Sequence, residues 1–175
     1  MPLLEKNFFD LLSMPRAFAI DEAALEGHYR QLVAAVHPDR FATDSAEQRR
    51  LAMQAATLAN EAWRCLRDPV SRAAYLCRLS GVSVDDASRT GADPAFLAEQ
   101  IEWRESLDEA RLAADLGALE SLRDSVHSAR GALLAAIAAA IDQHADFQGA
   151  AQAVGRLMYV DKLVEQVDDA IDDIS

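Results

Sequence analysis

An all-α fold in two parts is what this sequence predicts, and three observations carry it. Hydrophobic residues make up 51% of the chain but aromatics only 6%, a balance dominated by the helix-favouring Ala and Leu. Five prolines and seven glycines leave room for long uninterrupted helices. No window shows the apolar alternation of a strand; apolar side chains instead recur every three or four residues.

Asn7 can cap a short first helix, with Phe8, Phe9, Leu11 and Leu12 as its apolar contacts, and Met14-Pro15 breaks it. Residues 16–20 are expected to run extended into Asp21, whose carboxylate can take the free amides of a second helix. In that helix Leu25, Tyr29, Leu32, Val33 and Val36 share one face. Pro38 stops it, because the residue before a proline is pushed out of the α region. The polar tripeptide His37-Pro38-Asp39 is then presented at the tip of a turn. After Thr43, Ser45 and Gln48 are spaced as a capping box, and Leu51, Ala55, Leu58, Ala62 and Leu66 mark the buried face of a third helix. Two helices joined so closely should lie antiparallel, with the tripeptide at the hairpin end. Asp68-Pro69 sets a cap and a first-turn proline back to back, opening a fourth helix through Tyr75, Leu76 and Leu79 that Gly81 ends.

This first domain is expected to span 1–80. Residues 81–92, small and polar with no sustained period, read as a linker to a second domain at 93–175. Asp93-Pro94 repeats the cap-plus-proline signal and opens three helices, roughly 94–114, 115–144 and 146–174. The last carries Ala150, Val154, Leu157, Val160, Val164, Val167, Ile171 and Ile174 in alternating spacings of three and four. The middle one carries Leu119, Leu122, Val126, Ala129, Leu133, Ile137 and Ala140 in the same rhythm. With short turns, these should close into an antiparallel three-helix bundle.

The net charge of −12 sits in the second half: residues 1–80 are balanced at ten against ten, and 81–175 hold seven Lys/Arg against nineteen Asp/Glu. Such a surface disfavours nucleic acid and anionic membranes, both of which need a basic footprint, and leaves a protein partner or plain solvation. Cys65 and Cys77 form no Cys-x-x-Cys and have no His at ligand spacing, so structural thiols are expected, with no metal and no resident cofactor. The start lacks a signal peptide's basic and long apolar runs, and the most apolar stretch, 131–141, is too short to span a bilayer. A soluble cytoplasmic protein is expected.

The first helix of the second domain carries more apolar surface than one seam needs. Phe96, Trp103, Leu107, Ala110 and Ala114 cluster about one direction and are assigned to the core. Leu97, Ala98, Ile101 and Leu112 centre roughly 150° away, ringed by Glu102, Arg104, Glu105 and Asp108. Tyr159, two positions after Leu157, points about 160° from the third-helix seam. An apolar strip ringed by charge reads as a protein-binding patch, with docking on the first domain as the alternative.

The tripeptide in its helical hairpin, followed by Asn60-Glu61-Ala62-Trp63 through Asp68-Pro69 and Tyr75-Leu76, resembles the J domain that activates DnaK-class chaperones. Phe96-Leu97-Ala98-Glu99-Gln100-Ile101-Glu102-Trp103-Arg104-Glu105 and Leu157-Met158-Tyr159-Val160-Asp161-Lys162-Leu163 are similar to the second-domain signatures of the HscB family, J-type co-chaperones of iron–sulfur cluster assembly. The resemblance implies that His37, Pro38 and Asp39, with Arg30 and Arg40, contact an HscA-type chaperone and promote its ATP hydrolysis. It further implies that Leu97, Ala98, Ile101, Glu102, Arg104, Glu105 and Tyr159 hold the scaffold IscU for delivery, and that the chain itself has no catalytic residue.

This sequence departs from the family pattern at several of those positions. The helix before the tripeptide is usually basic on its exposed face, yet here Arg30 stands nearly alone beside His28, Gln31 and Ala34. Arg40 occupies a position where Lys is common. Ala98 and Tyr159 stand where the family often has a bulkier aliphatic and a phenylalanine. The Cys-bearing extension of some eukaryotic relatives is not in this sequence, so the resemblance implies an expected bacterial type. A generalist J-domain co-chaperone of DnaK is the rival reading, but such proteins typically carry a Gly/Phe-rich segment or zinc-binding Cys repeats. His37 with Asp39 could mimic a base and its orienter, but no nucleophile or phosphate cradle accompanies them.

Overall fold

The computed structural model describes residues 6–41, 45–90 and 93–174. Expectations about the first five residues, about Thr43 and about residues 91–92 lie outside the described residues, as do those about the side chains of Pro38 and Asp39. The chain divides into two compact units, Met1–Leu76 and Cys77–Ser175. All regular structure among the described residues is helical.

In the first unit, α1 (Phe8–Leu11) starts where the Asn7 side chain accepts from the Asp10 amide, and it ends in a turn through Ser13 at φ +53°. Residues 16–19, expected extended, instead bend, with the Ala17 amide on the Pro15 carbonyl at 2.9 Å. Proline fixes the local geometry, and the bend lets Phe18 turn inward to 6% exposure. The Asp21 carboxylate caps α2 (Glu22–Val36) by accepting from Ala23 and Ala24. A 3₁₀ turn, Pro38–Phe41, leads to α3 (Ala46–Arg67), which opens with the reciprocal Ser45/Gln48 capping box. α2 and α3 pack against each other, and α1 rests on α3. Leu25, Val36, Ala55, Ala62 and Leu66 are buried as the spacing predicts, together with Ala52 and Ala59.

α4 (Pro69–Leu79) begins with the Asp68 carboxylate accepting from the Ser71 amide at 2.7 Å. Its Tyr75 ring stacks on Phe8 and Phe9, and the hydroxyl accepts from the Phe8 amide at 2.9 Å, fastening α1 in place. Arg72, 6% exposed, donates to the Leu66 carbonyl and lies over the Phe18 ring at 5.0 Å. That placement gives the buried charge a carbonyl and an aromatic face.

The second unit takes over in the last turn of α4. Gly81, at φ +79°, supplies the left-handed residue that ends this helix. Within the stretch expected as a linker, Val84–Thr90 form a short helix, α5, capped by Ser83 accepting from Asp86 and packed on the last helix through Ala87 at 1% exposure. Seven residues are too few to show a period, which is why the sequence hides it.

Then come α6 (Pro94–Ala113), α7 (Leu116–Ala138) and α8 (Phe147–Asp172), capped by Asp93, Asp115 and Asp146. α7 widens into a π turn at Ala139–Gln143, with the His144 amide on the Ala139 carbonyl at 3.2 Å, so the helix ends earlier than expected. Trp103, Leu107, Ala110, Leu119, Leu122, Val126, Val160 and Val167 form the shared core. Leu163 and Ala170 join it, although the single seam read from α8 omits them. α8 meets α5 and α7 and also shares this core with α6, so it buries more of its circumference than one seam.

Candidate functional site

The first candidate surface is the turn after α2. His37 leaves the helix with φ −59° and ψ 130°, the extended ψ that a following proline imposes. The Arg40 amide then closes the turn on the His37 carbonyl at 3.0 Å. Arg40 is exposed, and its guanidinium reaches back to the Ala34 carbonyl at 3.3 Å, satisfying one of the orphan acceptors at the end of α2. His37 is exposed as well.

Arg30 lies two turns earlier. Its Nε donates to a Glu26 oxygen at 2.8 Å, while the other Glu26 oxygen accepts the Trp63 indole from α3 at 2.9 Å. Tyr29 stacks on Trp63 at 4.9 Å and donates to the Asn60 side chain at 2.8 Å. This clamp of Glu26, Tyr29, Asn60 and Trp63, missed from sequence, couples the base of Arg30 to the opposite helix. Its only sequence signal is the aromatic pair, whose meeting depends on hairpin register.

The second candidate surface is the outward half of α6. Leu97 is 47% exposed, Ile101 58% and Leu112 91%. Leu97, Ile101 and Arg104 fall within about 60° on the helical wheel, whereas Ala98 and Glu102 lie roughly 110° further round. Ala98 and Glu102 line a groove of about 780 Å³ toward α7, with Phe96, Leu133 and Arg156 among its other walls. Glu105 is exposed between the two flanks. The strip thus wraps α6 instead of forming one flat face.

Tyr159 is half-buried, and this corrects the expectation of an outward aromatic. The direction away from the α7 seam faces α6. Its ring meets Phe96 edge-on at 6.1 Å, its hydroxyl accepts from Arg104 Nε at 3.1 Å, and it donates to the Gln100 carbonyl at 3.4 Å. The Arg104 guanidinium also lies over the Tyr159 ring at 5.7 Å. The hydroxyl contact, with Asp108 nearby, holds the Arg104 pKa above its ordinary value. Phe96 and Gln100 therefore belong to this cluster. A second cation, Arg156, bridges Asp93 at 3.3 Å and lies over the Phe96 ring at 5.4 Å.

Among the described residues no group of His, Cys, Asp and Glu is placed to hold a metal ion, and no helix is long and apolar enough to cross a membrane. Cys77 is buried with its thiol on the Phe147 carbonyl at 3.6 Å, and burial pushes its pKa up to about 11. Both surfaces offer fixed charge and hydrogen-bond donors, and the α6 surface adds apolar contact, the materials of protein recognition.

Comparison with known proteins agrees with that character. Residues 92–168 match the family described as the HSCB C-terminal oligomerisation domain. A co-chaperone protein HscB homolog of Burkholderia multivorans is 44% identical over 167 residues, covering 95% of each chain. The homolog of Bordetella avium is 46% identical over 161 residues, covering 92% of this chain and 95% of its own. Among solved structures, chaperone HscB from Vibrio cholerae aligns with a TM-score of 0.83 and 33% identity, over 97% of this chain and 100% of that one. The human co-chaperone protein HscB aligns at 0.84 with 28% identity, over 93% and 81%.

Proposed function

This chain belongs to the HscB family, the co-chaperones of iron–sulfur cluster assembly, and we propose that it works as a two-sided adaptor. Its 1–80 segment engages an HscA-type, DnaK-class chaperone through His37, Pro38 and Asp39, flanked by Arg30 and Arg40. Its 93–175 segment, joined through 81–92, holds the scaffold IscU through Leu97, Ala98, Ile101, Glu102, Arg104, Glu105 and Tyr159. The chain carries out no chemistry; it delivers the scaffold to the chaperone and stimulates that chaperone's ATP hydrolysis, and it does so in the cytoplasm.

The observation that supports this reading best is the exposure of Leu97 and Ile101 inside a ring of charge on an otherwise acidic unit. Two large aliphatics left in water cost hydration free energy unless a partner covers them, and the charges around them set register more than affinity. On the chaperone side, Asp39 is a fixed anion suited to an Arg of the ATPase domain, with Pro38 holding the turn that carries it.

The test is titration of the purified chain with purified scaffold. Leu97→Ala with Ile101→Ala should weaken binding at least tenfold, because about 1–2 kcal/mol of burial is lost per side chain. Binding that survives both truncations unchanged would move the scaffold to another surface.

A further inference from the structure

We propose that the Tyr159 hydroxyl is a positioning group for Arg104, fixing its guanidinium so that its two terminal nitrogens receive a carboxylate of the scaffold. The proposal rests on the scaffold-binding reading above and adds the chemistry of one contact.

The hydroxyl is committed in both of its roles. Its oxygen accepts from Arg104 Nε at 3.1 Å, and its proton goes to the Gln100 carbonyl at 3.4 Å. The ring beneath is held edge-on by Phe96 at 6.1 Å and lies under the guanidinium at 5.7 Å. Arg104 is thus tethered at Nε, and among the described residues its two Nη nitrogens take no hydrogen-bond partner. A planar guanidinium held by Nε still presents a two-pronged donor end, the shape that matches a carboxylate. Fixing the long side chain before the partner arrives removes rotamer entropy that binding would otherwise lose.

Charge picks the ligand class. Between Pro94 and Leu107 Arg104 is the lone cation, set among Glu99, Glu102 and Glu105, and it shares its side of α6 with Leu97 and Ile101. A matching partner element places one acidic side chain between apolar ones there, with its basic groups falling outside on the acidic ring. Tyr159→Phe separates the two roles of this residue: the ring, its burial and its Phe96 contact remain, while the tether on Arg104 goes.

The experiment is calorimetric titration of scaffold into the full chain at low and moderate salt, for wild type, Tyr159→Phe, Arg104→Gln and the double variant. Each single change should weaken binding about three- to tenfold, and the double variant should be no weaker than Arg104→Gln alone. Arg104→Gln and the double variant should show a shallower salt dependence than wild type. In the free protein, the Arg104 Nε–H proton should exchange slowly in wild type and rapidly in Tyr159→Phe, with the melting temperature unchanged. Wild-type affinity in Tyr159→Phe, or independent addition of the two effects, overturns the positioning role. In that event, loss of binding on truncating Leu97 and Ile101 still supports the scaffold surface. A wild-type chain that does not bind scaffold overturns both.

Discussion

Glu26 and Trp63 are joined across the α2–α3 hairpin by a 2.9 Å hydrogen bond, and the same carboxylate holds Arg30 at 2.8 Å. One acid therefore buttresses the hairpin and partly neutralises the cation nearest the tripeptide turn on α2. The thin basic face of this helix is thinner still once Glu26 is counted.

Glu26→Gln separates these effects. The amide oxygen can keep the Trp63 hydrogen bond while the negative charge is lost. Because Arg30 is 75% exposed, the pair contributes little to stability, and the fold should hold. The concentration of chain that half-saturates chaperone stimulation should fall about two- to threefold at low salt, and the difference should vanish at high salt. An unchanged or higher half-saturation would show that the α2 face does not meet an acidic surface.

Stability and binding should part company along α6. Trp103, 6% exposed in the core, should cost about 3–5 kcal/mol when cut to Ala, while Leu97→Ala should stay within about 0.5 kcal/mol of wild type. Urea denaturation of the two variants checks this. Comparable losses would mean that Leu97 is covered in the folded chain.

The two thiols should differ in reactivity. Cys65 is half-exposed and Cys77 buried with its pKa raised to about 11, so a neutral alkylating reagent at pH 8 should modify Cys65 in the native protein and Cys77 only on unfolding. The sign for stability follows from the raised value. Below the ordinary thiol pKa of 9.0 both states keep the proton and the contribution is fully present. Between that value and about 11 the unfolded chain ionises first, so stability is lost as pH rises. Cys77→Ala should lose less stability than wild type over this window; an equal loss would place the cause elsewhere.

The caps show which parts of this fold are legible locally. Asn7, Asp21, the Ser45/Gln48 box, Asp93 and Gly81 all act within a few residues of themselves, so their chemistry can be read along the chain. The exposure of Leu97 and Ile101 was legible too, because the helical wheel needs only the helix. What stayed hidden depends on neighbours remote in sequence. Tyr159 turns to Arg104, 55 residues away, because α8 borders α6 as well as α7. Leu163 and Ala170 are buried for the same reason, and the Glu26–Trp63 bond spans 37 residues. The helix α5 escaped because its burial on α8 compensates for a polar sequence without period.

Single-turnover ATP hydrolysis by the HscA-type chaperone tests the adaptor account most directly, with this chain and the scaffold added separately and together. Wild type should stimulate hydrolysis alone and more strongly with scaffold. Asp39→Asn should lose stimulation in both conditions, and Leu97→Ala with Ile101→Ala should keep the basal stimulation while losing the scaffold's enhancement. Enhancement by scaffold that persists in the double variant, or stimulation that survives Asp39→Asn, would contradict the two-sided arrangement.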